Sequence, residues 1–169
     1  MNNLNRKEYN IAVKELSGRL YGYCLKYLRN SADSSDIVQD AFEKLWNNRK
    51  KVELSKAKSW LFSTAHNTLI NFINKKNRIT YMYELESKQN ARNLSHDFEM
   101  KEVVDICLSC LPPVQKSIIL LRDLEGYNYK EISEILDLSE SQVKVYLFRA
   151  RNKIKKQLKG QAILEVRHA

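Results

Sequence analysis

The chain has 169 residues, room for one compact domain or two very small ones. Its 29 Lys and Arg outnumber 20 Asp and Glu, so the formal net charge is +9 and a polyanionic partner is the first expectation. With only 4 Gly and 2 Pro, the composition argues against an all-β fold and against cofactor sites built from glycine loops. The opening MNNLNRKEYN has no apolar stretch behind its charges, and the longest aliphatic run is Ile118 to Leu121, so neither secretion nor membrane insertion is expected. Three Cys suggest no disulfide framework and point to a reducing cytoplasm. His66, His96 and His168 are far apart in sequence, and no metal, cofactor or small-molecule substrate is expected.

Apolar residues recur at helical steps three times in the first part. Val13, Leu16, Leu20, Tyr23, Cys24 and Tyr27 form the first stripe, and Gly18 with Gly22, one turn apart, would let another backbone approach closely. A second helix is expected after Asn30 and Ser31, capped by Ser and Asp residues, with Ile37, Val38, Ala41, Phe42, Leu45 and Trp46 facing inward. Ser55 is the expected cap of a third, carrying Trp60, Leu61, Ala65, Leu69, Phe72 and Ile73, with room for a fourth short turn. Residues 79–97 lose this rhythm, are rich in Asn, Gln, Ser, Glu and Lys, and read as a flexible linker.

Beyond it, Val103, Val104, Cys107, Leu108 and Leu111 predict a helix ended by Pro112. Pro113 suits the first turn of the next, with Val114, Ile118, Leu121 and Leu124 inward and Gly126 at its close. A short helix is expected from Tyr129 to Asp137, then a tight turn at Leu138 and Ser139, then a last helix from Glu140 to Leu158 burying Val143, Leu147, Ala150 and Ile154. Two short helices joined by such a turn, the second basic, describe a helix-turn-helix. Residues 140–159 hold 7 cations against 1 anion, whereas 98–139 hold 4 against 8. Burying the Val143 stripe leaves Ser141, Lys144, Val145, Phe148, Arg149, Arg151 and Lys155 on other faces, several of them able to reach a major groove, where Arg bonds guanine bidentately and both cations neutralise phosphate.

The strings SDIVQDAFEKLW (35–46), KSWLFSTAHNTLINFINKK (58–76), LPPVQKSIILL (111–121), YKEISEIL (129–136) and VKVYLFRAR (143–151) together resemble the small alternative sigma factors of bacterial RNA polymerase, the extracytoplasmic-function type. The resemblance covers about residues 8–78 and 98–158, in the family's order. It implies an all-α protein of two small helical domains: a region 2 helical bundle (1–78), a linker (79–97), a region 4 four-helix domain with the helix-turn-helix (98–160) and a C-terminal tail (161–169). It further implies binding to core RNA polymerase through Asp36, Gln39, Asp40, Phe42 and Trp46 of the second helix. Minus-ten recognition falls on Trp60, Asn67, Thr68 and Asn71 of the third, with Lys56, Lys58, Lys75, Lys76 and Arg78 on phosphates. Minus-thirty-five recognition falls on the last helix. An anti-sigma factor is an expected partner, and the protein is not expected to be an enzyme.

The sequence departs from the family at Ser141, Gln142 and Tyr146, where many relatives carry a small residue, Thr and Arg, and at Ser133, where Ala is usual. Loss of that Arg removes one phosphate contact, for which Gln142 or Tyr146 could substitute. Cys107 and Cys110 form a C-x-x-C with no second pair, so zinc lacks its four donors. Two other readings are a stand-alone helix-turn-helix regulator binding duplex operators as a dimer, and a nucleic-acid-processing enzyme, for which Asp36 with Asp40 is the one tempting carboxylate pair.

Overall fold

A computed structural model of the chain describes residues 3–84 and 100–168, with side chains described over 3–82 and 102–160. It divides into two compact units. In the first, α1 (Arg6–Leu28), α2 (Ser31–Asn48) and α3 (Ala57–Glu84) pack on one another, and a 3₁₀ turn (Leu54–Lys56) leads into α3. In the second, α4 (Met100–Ser109), α5 (Pro113–Ile119), α6 (Tyr129–Leu136) and α7 (Glu140–His168) follow, with a π turn over Leu120–Leu124. No strand occurs among the described residues.

Side chains set the helix starts by satisfying amides that have no partner in the first turn. Asn5 and Glu8 form a reciprocal capping box on α1, at 2.9 and 2.8 Å. The Asn30 side chain accepts from the Asp33 amide at 2.9 Å, and the Ser34 hydroxyl donates to the Asn30 carbonyl at 2.7 Å. Ser55, expected to cap α3, lies inside the 3₁₀ turn instead, and α3 begins two residues later.

Leu16, Leu20, Tyr23 and Cys24 of α1 are buried, with Ile37, Ala41 and Leu45 of α2 and Leu61, Phe62, Ala65 and Leu69 of α3. Periodicity missed Phe62, and Trp60 is only half-buried. Leu4 is also buried, its amide donating to the carbonyls of Arg49 and Val52, so the segment before α1 straps the loop after α2. Gly18 and Gly22 do not serve a close approach inside the fold: no heavy atom beyond the helix's own backbone lies within 4 Å of where a Cβ would stand at either. Residues 79–84, read as linker, continue α3, and Ile79, Tyr81 and Met82 on it are exposed. The rest of the expected linker lies outside the described residues. Residues 161–168, read as a tail, continue the backbone of α7.

In the second unit Cys107, Leu108, Leu111, Ile118, Leu121, Ile132, Ile135, Val143, Leu147 and Ala150 are buried. Val104, Val114 and Leu124, expected inside, are exposed. For Leu124 the cause is the π turn, whose wider winding rotates the residues after it relative to a regular α-helix. The turn closes with the Glu125 amide donating to the Leu120 carbonyl at 3.0 Å, and Gly126 follows at φ 73°. Leu20→Ala should therefore lower stability by roughly 2–5 kcal/mol in urea unfolding followed by circular dichroism, whereas Leu124→Ala should change it by less than about 0.5 kcal/mol.

Candidate nucleic-acid interface and docking face

The α6–α7 turn has the construction of a helix-turn-helix. Asp137 ends α6 in the left-handed region at φ 54°, and Leu138 donates to the Ser133 carbonyl at 3.0 Å. Ser139 and Gln142 then form a capping box on α7: the Gln142 amide donates to Ser139 Oγ at 3.1 Å, and the Ser139 amide donates to Gln142 Oε1 at 2.9 Å. Gln142, expected on DNA, thus has its side-chain carbonyl committed to the turn. Ser141, Val145, Phe148 and Arg149 share one exposed face, and Phe148 is 68% exposed. Lys144 and Arg151 stand at one edge of it. Lys144 Nζ lies 5.5 Å from the centre of the Tyr129 ring, which Arg122 also covers at 4.9 Å. Arg151 pairs with Asp123 at 2.7 Å, and that hydrogen bond holds its guanidinium above the ordinary pKa. Lys155 borders a groove of about 470 Å³ with Ile119, Ile154 and Leu158.

On α3, Trp60, Asn67, Asn71, Lys75 and Arg78 are spaced by seven, four, four and three residues and so share one face, about 27 Å long at 1.5 Å per residue. Asn67, Asn71, Lys75 and Arg78 are exposed and Trp60 is half-buried. Lys58 and Lys76 fall on the opposite side, and Lys56 belongs to the 3₁₀ turn. The Thr68 hydroxyl donates back to the Thr64 carbonyl at 2.9 Å and accepts from Lys44 Nζ at 3.5 Å, so it is engaged within the unit. Behind this face His66 Nδ1 lies 2.9 Å from the Tyr23 hydroxyl, and burial lowers the His66 pKa to about 4. The ring is neutral at physiological pH.

Of the residues expected on the polymerase, Asp36 and Gln39 are exposed, and Asp40 pairs with Lys44 at 2.7 Å while keeping 41% of its side chain exposed. Phe42 departs from the expectation: it is buried, with the Tyr9 hydroxyl donating to its carbonyl at 3.0 Å. Trp46 is half-buried between the Tyr9 ring, 4.9 Å away, and the Arg49 guanidinium, 4.0 Å above it. Both aromatics pack between α1 and α2, whereas Asp36 and Gln39 remain exposed and Asp40 partly so.

Among the described residues no three His, Cys, Asp or Glu gather to hold a metal, and no helix is long and apolar enough to cross a membrane. Cys107 is buried, its pKa raised by burial and then by Cys110. Burial pushes the Cys24 thiol up to about 12. Neither is activated as a nucleophile.

Residues 12–79 match the Sigma-70 region 2 family and residues 101–154 the Sigma-70 region 4 family. The chain is 33% identical to the ECF RNA polymerase sigma factor SigM of Bacillus subtilis over 140 residues, covering 80% of this chain and 86% of that one. It is 26% identical to the ECF RNA polymerase sigma-E factor of Escherichia coli over 165 residues, 89% and 86% of the two chains. Among solved structures it is similar to the sigma factor RpoE in complex with the anti-sigma factor NepR from Bartonella quintana, with a TM-score of 0.73, 20% identity and coverage of 90% of this chain and 98% of that one. It is similar also to CnrH in complex with the cytosolic domain of CnrY, with a TM-score of 0.70, 19% identity and coverage of 92% and 90%.

His66 yields a pH prediction. The unfolded imidazole takes up its proton near pH 6.5 and the folded one only near 4, so its contribution to stability is present above pH 6.5 and is lost as pH falls towards 4. Between pH 7.5 and 4.5 the wild type should lose more thermal stability than His66→Gln, which does not titrate; equal losses in the two would refute it.

Proposed function

Since the chain belongs to the extracytoplasmic-function sigma factors, it binds core RNA polymerase and directs promoter-specific transcription initiation, and we propose a division of that work between its two units. The first, region 2, extends through residue 78 and docks on the core enzyme by Asp36, Gln39 and Asp40 of α2. It meets the minus-ten element along α3, where the Asn67 and Asn71 amides bond base edges, Trp60 stacks on an unpaired base, and Lys75 and Arg78 hold phosphates. The second, region 4, spans about 98–160 and reads the minus-thirty-five element with Ser141, Val145, Phe148 and Arg149, while Lys144, Arg151 and Lys155 serve the backbone.

The observation that supports this reading is one chain holding two exposed faces of amide, aromatic and basic side chains, on α3 and α7, with an acidic ridge on α2 of a kind that DNA would repel. An operator-binding dimer needs only the α7 face, and nothing in the first unit favours it. The site of action is the cytoplasm, where the polymerase works, and no catalytic step is assigned to the chain. The two solved relatives hold anti-sigma partners, and we extend that class of partner to this chain.

Energetics make it a specificity subunit. Parting stacked pairs costs about 1.4 kcal/mol per step, and each captured base returns roughly 1–3 kcal/mol. One or two captured bases cannot hold open a bubble of about ten steps, so the polymerase supplies most of the work.

Run-off transcription with purified core enzyme on a pool of genomic promoters should give specific starts only when this chain is added. Arg149→Ala should weaken upstream-element binding and leave core association intact, and Gln39→Ala with Asp40→Ala should do the reverse. If roughly five phosphates are contacted, log affinity for DNA should fall with log salt at a slope of about −4 to −5.

A further inference from the structure

The C-x-x-C of Cys107 and Cys110 has no part in docking or in reading DNA, and its two thiols differ in access. Cys107 is 2% exposed in the core of the second unit, whereas Cys110 is exposed. Although α4 ends at Ser109, the Cys110 amide still donates to the Ile106 carbonyl at 3.3 Å, so Cys110 continues the helical turn. Residues three apart on such a turn hold their Cα atoms about 5 Å apart, inside the roughly 4.4–6.8 Å that a disulfide spans. Their Cβ atoms, about 5–6 Å apart, exceed the ~3.8 Å that a disulfide takes, so a bridge closes only if the end of α4 distorts. That distortion has nowhere soft to go: Leu111 is buried, its amide donates to the Leu108 carbonyl at 3.2 Å, and Pro112 leads directly into α5.

We propose that Cys107 and Cys110 are a peroxide-responsive dithiol, with exposed Cys110 as the attacking thiol and buried Cys107 as the resolving one, whose disulfide loosens the second unit around the α4–α5 joint. In the first step the Cys110 thiolate attacks one oxygen of hydrogen peroxide and the O–O bond breaks, giving a sulfenic acid and, after proton uptake, water. In the second the Cys107 sulfur attacks the Cys110 sulfur and the S–O bond breaks, the departing hydroxide leaving as water with the Cys107 proton. Two thiols and one peroxide thus become one disulfide and two waters. Burial, with Cys110 adding to it, raises the Cys107 pKa, so Cys107 stays a thiol until its neighbour has been oxidised. Because α4 packs on α7, the loosening reaches the reading helix, a consequence that rests on the role proposed for α7.

The full-length chain, reduced and then exposed to hydrogen peroxide, is alkylated and mapped by mass spectrometry, with amide hydrogen exchange followed over residues 103–121. Cys107 and Cys110 should appear joined in one peptide, two hydrogen atoms lighter and restored by dithiothreitol, with exchange faster by at least about tenfold. Cys24, buried and with its thiol pushed up to about 12, should stay reduced. Cys110→Ser should show neither change, and Cys107→Ala should carry Cys110 on to the sulfinic acid for want of a partner. Thiols left untouched, a bridge between two chains, or a wild-type Cys110 that reaches the sulfinic acid beside a reduced Cys107 overturns the dithiol. An internal bridge with unchanged exchange overturns the loosening. With core RNA polymerase, the oxidised chain should bind the minus-thirty-five element at least about fivefold more weakly than the reduced one, and equal affinity overturns the link to α7. A reduced holoenzyme indifferent to that element sinks the α7 reading alone, since the mapped bridge and the exchange are measured without DNA.

Discussion

Each helix of this protein can hide only a narrow stripe, and that restriction decides what every other side chain does. At 3.6 residues per turn, placing Leu16, Leu20 and Tyr23 inside settles the bearing of all the remaining residues of α1, and placing Val143, Leu147 and Ala150 inside does the same for α7. The outward faces are then not free to vary independently. Arg149 is displayed because Leu147 and Ala150 are hidden, and Asn67 and Asn71 are displayed because Ala65 and Leu69 are hidden.

The architecture was largely legible in the sequence because stripes and breakers are local signals. Asn30, Pro112, Pro113 and Gly126 mark helix boundaries that the structure keeps. The capping boxes Asn5 with Glu8 and Asn128 with Glu131 carry a local signal of the same kind in their three-residue spacing. Other features were out of reach. A π turn has no composition of its own, so Leu124 kept helical spacing while the wider winding carried it into solvent. Ile79, Tyr81 and Met82 after Arg78 pack on no core and are followed by a polar stretch, yet α3 continues to Glu84, since a helix already under way adds each residue at little expense.

Site residues were less legible, because a motif tells which residue types recur and not which already have a partner. Phe42 is buried, Arg151 bonds Asp123 and Gln142 closes its own turn, although the sequence leads to the expectation of a polymerase or DNA contact for all three. The exposed Arg151–Asp123 pair is worth about 0–1 kcal/mol, so an arriving phosphate can displace Asp123. The Gln142 contact differs in kind, because breaking it loosens the first turn of α7.

The joint at Asp137 has a mechanical consequence. A residue with a side chain adopts the left-handed conformation there at φ 54°, and α7 extends from that joint as an unbroken lever. Arg149 stands ten residues along it from Ser139, about 15 Å away. An angular error of about 10° at the fulcrum would swing its head by roughly 2.6 Å, close to the full length of a hydrogen bond. Accuracy at the tip is therefore set by the stiffness of three residues, Asp137 to Ser139, that lie outside the proposed reading face.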